Sequence, residues 1–190
     1  MRVIAGSAKG RRLRVPKGLD VRPTSDRVRE ALFASLGDRI PGASVLDLFA
    51  GSGALGIEAL SRGASGVVLV ERNPRAVAAI AENLNRAGLA GRARVIRDDA
   101  ARFCQAPGTP FDVILADPPY ALRTPAVYAL LGDLVAAGGL ARDGVAVVER
   151  DRRDPTRTAP APPGLALARV ATYGDTILYY LVPSEGELSE

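Results

Sequence analysis

The chain has 190 residues, 47% of them apolar, which suffices for one domain with a sizeable core and is too many for a disordered chain. With no histidine and one cysteine, Cys104, an internal disulfide, the usual zinc sites and Ser-His-Asp or Cys-His catalysis are excluded, and no metal is expected. No apolar run reaches the ~18 residues of a membrane span, and the basic N-terminus lacks an apolar signal core, so a cytoplasmic protein without a membrane partner is expected.

The net charge of +4 is unevenly placed. Residues 1–30 hold nine basic side chains (Arg2, Lys9, Arg11, Arg12, Arg14, Lys17, Arg22, Arg27 and Arg29) and three acidic ones (Asp20, Asp26 and Glu30), a local charge of +6. Such a concentration suits a surface that faces a polyanion. A solvated basic face in an arginine-rich protein would look the same.

Residues 2–5 and 12–15 are short strand-like runs around the turn residues Gly6-Ser7-Ala8-Lys9-Gly10, so a small basic hairpin is expected. Pro16 to Pro23 reads as an irregular connector. Thr24 or Ser25 then caps a helix on which Val28, Ala31, Leu32, Ser35 and Leu36 share a face, and Gly37 ends it.

From residue 44, strand-like runs at 44–48, 67–71, 93–97, 112–116 and 145–149 alternate with helical stretches at 53–62, 74–88, 100–105 and 125–137. That alternation implies a parallel sheet covered on both faces. Residues 155–164, rich in Pro and Ala, read as a loop. Strands at 165–171 and 176–182, joined at Tyr173-Gly174-Asp175, form an antiparallel pair. The division expected is 1–37 as a basic, polyanion-facing hairpin and helix, 38–183 as the main domain and 184–190 as a flexible tail.

The first strand runs through Asp47, Leu48 and Phe49 into Gly51-Ser52-Gly53, where the backbone must turn sharply and admit a ligand. Gly51 to Gly56 also matches G-x-G-x-x-G, and Glu71 follows Gly51 by 20 residues, so spacing alone is compatible with NAD. An acid at this position serves ribose hydroxyls in NAD and in S-adenosylmethionine alike. Two features favour S-adenosylmethionine. Asp47 suits a cationic amino group and would oppose an anionic pyrophosphate, and the chain lacks room for a dehydrogenase's second domain. At the end of strand three, Asp99 before the small Ala100 suits an adenine amino group better than Asp98, although either acid could cap a helix.

Strand four runs into Asp117-Pro118-Pro119-Tyr120. Two prolines forbid helix and strand and fix a rigid turn. An exocyclic amine on a base is a poor nucleophile because its lone pair is delocalised. The Asp117 side chain and the Pro118 carbonyl can accept from its N–H bonds, and a fixed carboxylate stabilises the positive charge that develops on nitrogen. Tyr120 offers a face on which a splayed-out base stacks.

These motifs resemble the bacterial 16S ribosomal RNA guanine-N2 methyltransferase family that modifies guanine 966, nearly end to end. The resemblance rests on Arg2–Gly6, Gly10–Leu13, Arg22–Glu30, Asp47–Gly53, Glu71-Arg72-Asn73, Asp117–Tyr120 and Tyr173–Asp175. It implies a Rossmann-like α/β fold with a seven-stranded, mostly parallel sheet whose last strand is antiparallel. The cofactor it implies is S-adenosyl-L-methionine. The cofactor residues would be Asp47, Phe49, Gly51, Gly53, Glu71, Arg72, Asp99, Ala100 and Asp117, with Thr24 and Arg27 bordering the pocket. The implied partner is 16S rRNA, in the small subunit or an assembly intermediate, contacted by Lys9, Arg11, Arg12, Arg14, Arg22 and Arg27, with the protein a monomer. Asp117, Pro118 and Tyr120 would be catalytic. The 155–163 loop and the tail depart from the family pattern. The rivals are an N6-adenine DNA methyltransferase, which would want a target-recognition domain, a protein-glutamine methyltransferase, which prefers Asn-Pro-Pro-Tyr, an NAD-binding oxidoreductase and a silent RNA-binding module.

Overall fold

The structure is a computed structural model that describes residues 1–16 and 25–184. Seven strands form one sheet: β1 (Ser44–Asp47), β2 (Gly66–Val70), β3 (Ala93–Ile96), β4 (Phe111–Ala116), β5 (Leu140–Asp151), β6 (Leu165–Tyr173) and β7 (Thr176–Pro183). Their spatial order is β3-β2-β1-β4-β5-β7-β6. The pairs among β1 to β5 are parallel, whereas β7 runs antiparallel to both β5 and β6. The α/β sheet expected from the sequence, with its last strand reversed, is therefore present. Gly174, at φ 62°, makes the tight β6–β7 turn.

Helices α1 (Asp26–Leu36), α2 (Ala54–Ser61), α3 (Pro74–Ala87), α4 (Ala100–Cys104) and α5 (Thr124–Ala136) cover the sheet. Side chains alternate across each strand, so the core divides in two. Val45, Val67, Leu69, Val113 and Val147 meet α1, α2 and α3 on one face. Leu46, Val70, Ile114, Ala146 and Val148 meet α4 and α5 on the other. Ser25 caps α1, its hydroxyl accepting from the Val28 N–H at 3.3 Å. The other capping candidate, Thr24, lies outside the described residues.

One sequence expectation changes. The N-terminal hairpin is short: Arg2 and Arg12 form its antiparallel bridge, the Val3 and Leu13 N–H groups donate to the Arg11 and Met1 carbonyls, both at 3.0 Å, and the Gly10 N–H donates to the Val3 carbonyl at 2.9 Å. Beyond Val3 the chain turns onto α2, where the Ile4 and Ala5 N–H groups donate to the buried Glu58 carboxylate at 2.8 and 3.0 Å. Val3, Ala8 and Leu13 join the core beneath α1 and α2. β6, of the antiparallel pair, is an edge strand with Leu167 half exposed.

Candidate functional site

The strand order reverses between β1 and β4, and open α/β sheets bind ligands beyond the carboxyl ends of such strands. Asp47 ends β1 and Asp117 directly follows β4. A cavity of about 530 Å³ opens there, a size that suits a small cofactor. Phe49, Gly51, Glu71, Arg72, Asp99, Ala100, Asp117, Pro118 and Tyr120 line it, as do Asp98, Leu122 and Leu130. Thr24 and Arg22 lie outside the described residues.

The glycine turn uses left-handed backbone at Gly51 (φ 55°) and Gly53 (φ 79°), where a side chain is disfavoured. A Cβ on Gly53 would also press on Ile80 and Leu69 at 3.3 Å. Two acids hold the turn. Glu71 accepts from the Gly51 N–H at 2.9 Å and the Asn73 N–H at 2.7 Å. Asp47 accepts from the Gly56 N–H at 2.9 Å through Oδ2.

Asp47 stands behind the cavity wall, 1% exposed. Its Oδ1 is buried with no hydrogen-bond partner among the described residues, an acceptor short of a donor. Burial, aided by the charges of Asp117 and Glu71 and opposed by the Gly56 hydrogen bond, pushes its carboxyl up to about 7. Asp98, Asp99 and Asp117 add to the same negative field. Such a site favours a ligand with ammonium or sulfonium charge and repels a pyrophosphate. The buried, donor-poor acid and the cleft of carboxylates thus fit S-adenosylmethionine better than NAD.

Asp98 and Asp99 divide their roles. Asp99 caps α4 through the Ala101 N–H at 2.9 Å, and Arg72 approaches its other oxygen at 3.8 Å. Asp98 accepts from the Asp99 N–H at 2.9 Å. Both carboxylates line the cavity.

The Asp117–Tyr120 turn is fixed from behind. The Pro119 carbonyl accepts from the Leu122 N–H at 2.9 Å. Asp117 and Pro118 are half-buried and buried, and Tyr120 is 50% exposed. The Leu122 carbonyl accepts from Arg150 at 2.7 Å. Arg150 is buried against Asp154, with its Nη2 2.6 Å from Oδ2. Thr124 and Thr156 also donate to Asp154, at 2.8 and 2.7 Å. Burial opposes ionisation of Asp154, but these hydrogen bonds outweigh it and hold the carboxyl well below its usual range. None of these four residues stood out in the sequence. Arg150 and Asp154 are four apart but not on a helix, so their pairing has no periodic signal.

A fifth unforeseen residue is Asn83 of α3, fully buried. Its amide donates to the Ser52 carbonyl in the glycine turn and to the Arg14 carbonyl, both at 2.9 Å, and its Oδ1 accepts from the Arg14 N–H at 2.7 Å. It ties the N-terminal segment to the glycine turn. Lys9, Arg11, Arg12, Arg14 and Arg27 are exposed, and Arg14 pairs with Glu82 at 2.7 Å. Burial, helped by Asp133 and Asp99, pushes the Cys104 thiol up to about 12, so it is an inert core residue. Among the described residues no cluster of acidic, histidine or cysteine side chains is placed to hold a metal ion, and no helix is long and apolar enough to cross a membrane.

The family model described as Conserved hypothetical protein 95 matches residues 1–182. Ribosomal RNA small subunit methyltransferase D of Escherichia coli strain K12 is 40% identical over 171 residues, covering 90% of this chain and 85% of that protein. YlbH of Bacillus subtilis strain 168 is 41% identical over 179 residues, 93% of this chain and 95% of that protein. The solved structure of yhhF from Escherichia coli superposes with a TM-score of 0.84 at 35% identity, covering 97% and 99% of the two chains.

Proposed function

The chain belongs to the Conserved hypothetical protein 95 family, and from that premise we propose that it methylates the exocyclic N2 of a guanine in 16S ribosomal RNA, using S-adenosyl-L-methionine. Methyltransferase relatives and a methyltransferase fold imply this cofactor. The observation that carries the reading is the meeting of two features at one switch point. A cleft rich in carboxylates, suited to a cation, opens directly beside a rigid Asp-Pro-Pro-Tyr turn.

In this reading Asp47 sets the polarity of the methionine end, and the Gly51–Gly53 turn admits it beside Phe49. Glu71 faces the ribose with Arg72 at the rim. Asp99 and Ala100 border the adenine. Thr24, outside the described residues, keeps its proposed place at the pocket edge. The bound cofactor supplies a methyl group activated by a sulfonium.

The chain's own part is to hold the amine. The Asp117 carboxylate and the Pro118 carbonyl accept its N–H bonds and turn the nitrogen lone pair outward. As nitrogen becomes cationic, the fixed Asp117 charge stabilises it, with no reorganisation needed. The methylated ammonium is acidic and gives up its proton without a strong base, so the absence of histidine is no obstacle. Tyr120, half exposed at the cavity mouth, presents a stacking face for the extruded base.

The proposed partner is 16S rRNA in the small subunit or its assembly intermediate, met in the cytoplasm by a monomer. Lys9, Arg11, Arg12, Arg14, Arg22 and Arg27 form the proposed contact face; Val3, Ala8 and Leu13, before and between the first of them, pack into the core. Isothermal titration tests the cofactor: S-adenosylhomocysteine binds with micromolar affinity and NAD does not. The reverse result overturns the enzyme class.

A further inference from the structure

Tyr120 has neighbours on its far side that the proposed chemistry does not use. β5 pairs directly with β4, and the loop leaving it, residues 151–157, rises beside the Asp117–Tyr120 turn. Residues 150–157 contain four arginines and two aspartates. Asp154 is turned inward onto Arg150. Asp151 holds Arg153 at 2.7 Å. Arg123 and Arg152 are exposed, and Arg157 is half-buried.

The loop is built, not merely charged. The Arg150–Asp154 pair bonds to Leu122 and Thr124 on one side and to Thr156 on the other. The Arg152 N–H donates to the Asp175 carbonyl at 2.7 Å, so the β6–β7 turn braces the loop. Arg157 bonds to the Asp154 carbonyl at 3.3 Å, and Arg123 lies 3.5 Å from the Asp154 carboxylate. On the opposite rim the balance differs: Arg72 faces Asp99 and Arg102 faces Asp98. Acidic side chains therefore line the cavity, Tyr120 is half exposed at it, and Arg123, Arg152 and Arg157 sit outside that lining, on the segments that follow the Asp117–Tyr120 turn and β5.

We propose that Arg123 and Arg157, held at the buried Asp154, and Arg152, whose backbone the β6–β7 turn braces, form a second RNA-binding wall that grips the phosphates flanking the base stacked on Tyr120. This rests on the RNA methyltransferase reading and adds to it a contact surface separate from the N-terminal basic segment. Arginine suits it because a rigid guanidinium fork matches phosphate oxygens. A preformed rim binds without ordering a loop.

The test is fluorescence anisotropy of a labelled single-stranded RNA oligonucleotide over a potassium chloride series, with wild type, R123Q/R152Q and an R11E/R12E control. Each phosphate contact contributes about 0.7 to the slope of log affinity against log salt on single strands. The double variant is expected to be shallower than wild type by about 1.4, with S-adenosylhomocysteine affinity unchanged within about twofold. Should the double variant fail its melting control, R152Q alone is read, with half the change. If wild type is steep and R123Q/R152Q superimposes on it, the second wall is refuted while the enzyme reading stands. If wild type binds no RNA even at low salt, both fall.

Discussion

Arg150, buried at the end of β5, donates to the carbonyl of Leu122, two residues beyond the Asp117–Tyr120 turn. The contact links that turn to an ion pair with Asp154 whose side chains are only 2% and 3% exposed. Removing one member of such a pair leaves an uncompensated buried charge and costs about 3–5 kcal/mol. D154N is therefore expected to lower the melting temperature markedly and to reduce turnover. The acid limb follows from the sign of the shift. A carboxyl held low in the folded state contributes stability above its ordinary value, and that stability is lost as pH falls through the folded value. Acid melts of wild type should lose this stability below about pH 4, and D154N should lack that component. Matching acid melts would contradict the assignment.

Asp47 has the opposite sign. Its carboxyl rises from 3.8 to about 7, so its contribution is full below the ordinary carboxylate range and is lost as pH rises toward and through about 7. Without cofactor, D47N should be the more stable protein at pH 8. It should also bind S-adenosylhomocysteine at least tenfold more weakly, since the ligand's ammonium would lose its carboxylate. Wild-type affinity should fall as pH drops below 7, and the variant's should not. Calorimetry at three pH values checks all of this, and a flat wild-type profile would count against Asp47 as the charge partner.

Asp117→Ala removes one preorganised group from the transition state. Turnover is expected to fall roughly 10²–10³-fold, far more than cofactor affinity. Single-turnover rates with saturating RNA measure it, and an undiminished rate removes Asp117 from the mechanism.

Gly6 and Gly10 distinguish a packed N-terminal segment from an appended one. Both have left-handed backbone, φ 81° and 83°, so alanine is strained by about 1–2 kcal/mol at either. Only at Gly6 would the new Cβ collide, 1.8 Å from the Ser61 carbonyl oxygen, whereas Gly10 has nothing within 4 Å. Gly6→Ala should therefore lower the melting temperature well beyond Gly10→Ala. Equal losses would mean that the segment is not docked on α2.

The legible parts of the molecule were those with local cause. Apolar runs gave the strands, the helical stretch at 74–88 became α3, and the rigid dipeptide Pro118-Pro119 marked the second site. β5 begins earlier than its apolar run because Leu140 pairs with Phe111 across an irregular register, which the polar Arg142-Asp143 conceals. Glu58, Asn83, Arg150 and Asp154 read as surface residues, because what buries each of them comes from a distant part of the chain. Arg29 is similar: fully buried on α1, it donates to the Arg2 carbonyl at 2.7 Å. The base specificity had no local cause either and came from resemblance.

The most direct measurement is mass spectrometry of nucleosides from 16S rRNA incubated with the purified protein and S-adenosylmethionine, the RNA coming from cells that lack the gene. N2-methylguanosine is expected to appear, and Asp117→Ala is expected to abolish it. Methyl groups found on adenine N6, or on protein and not on RNA, would contradict this expectation.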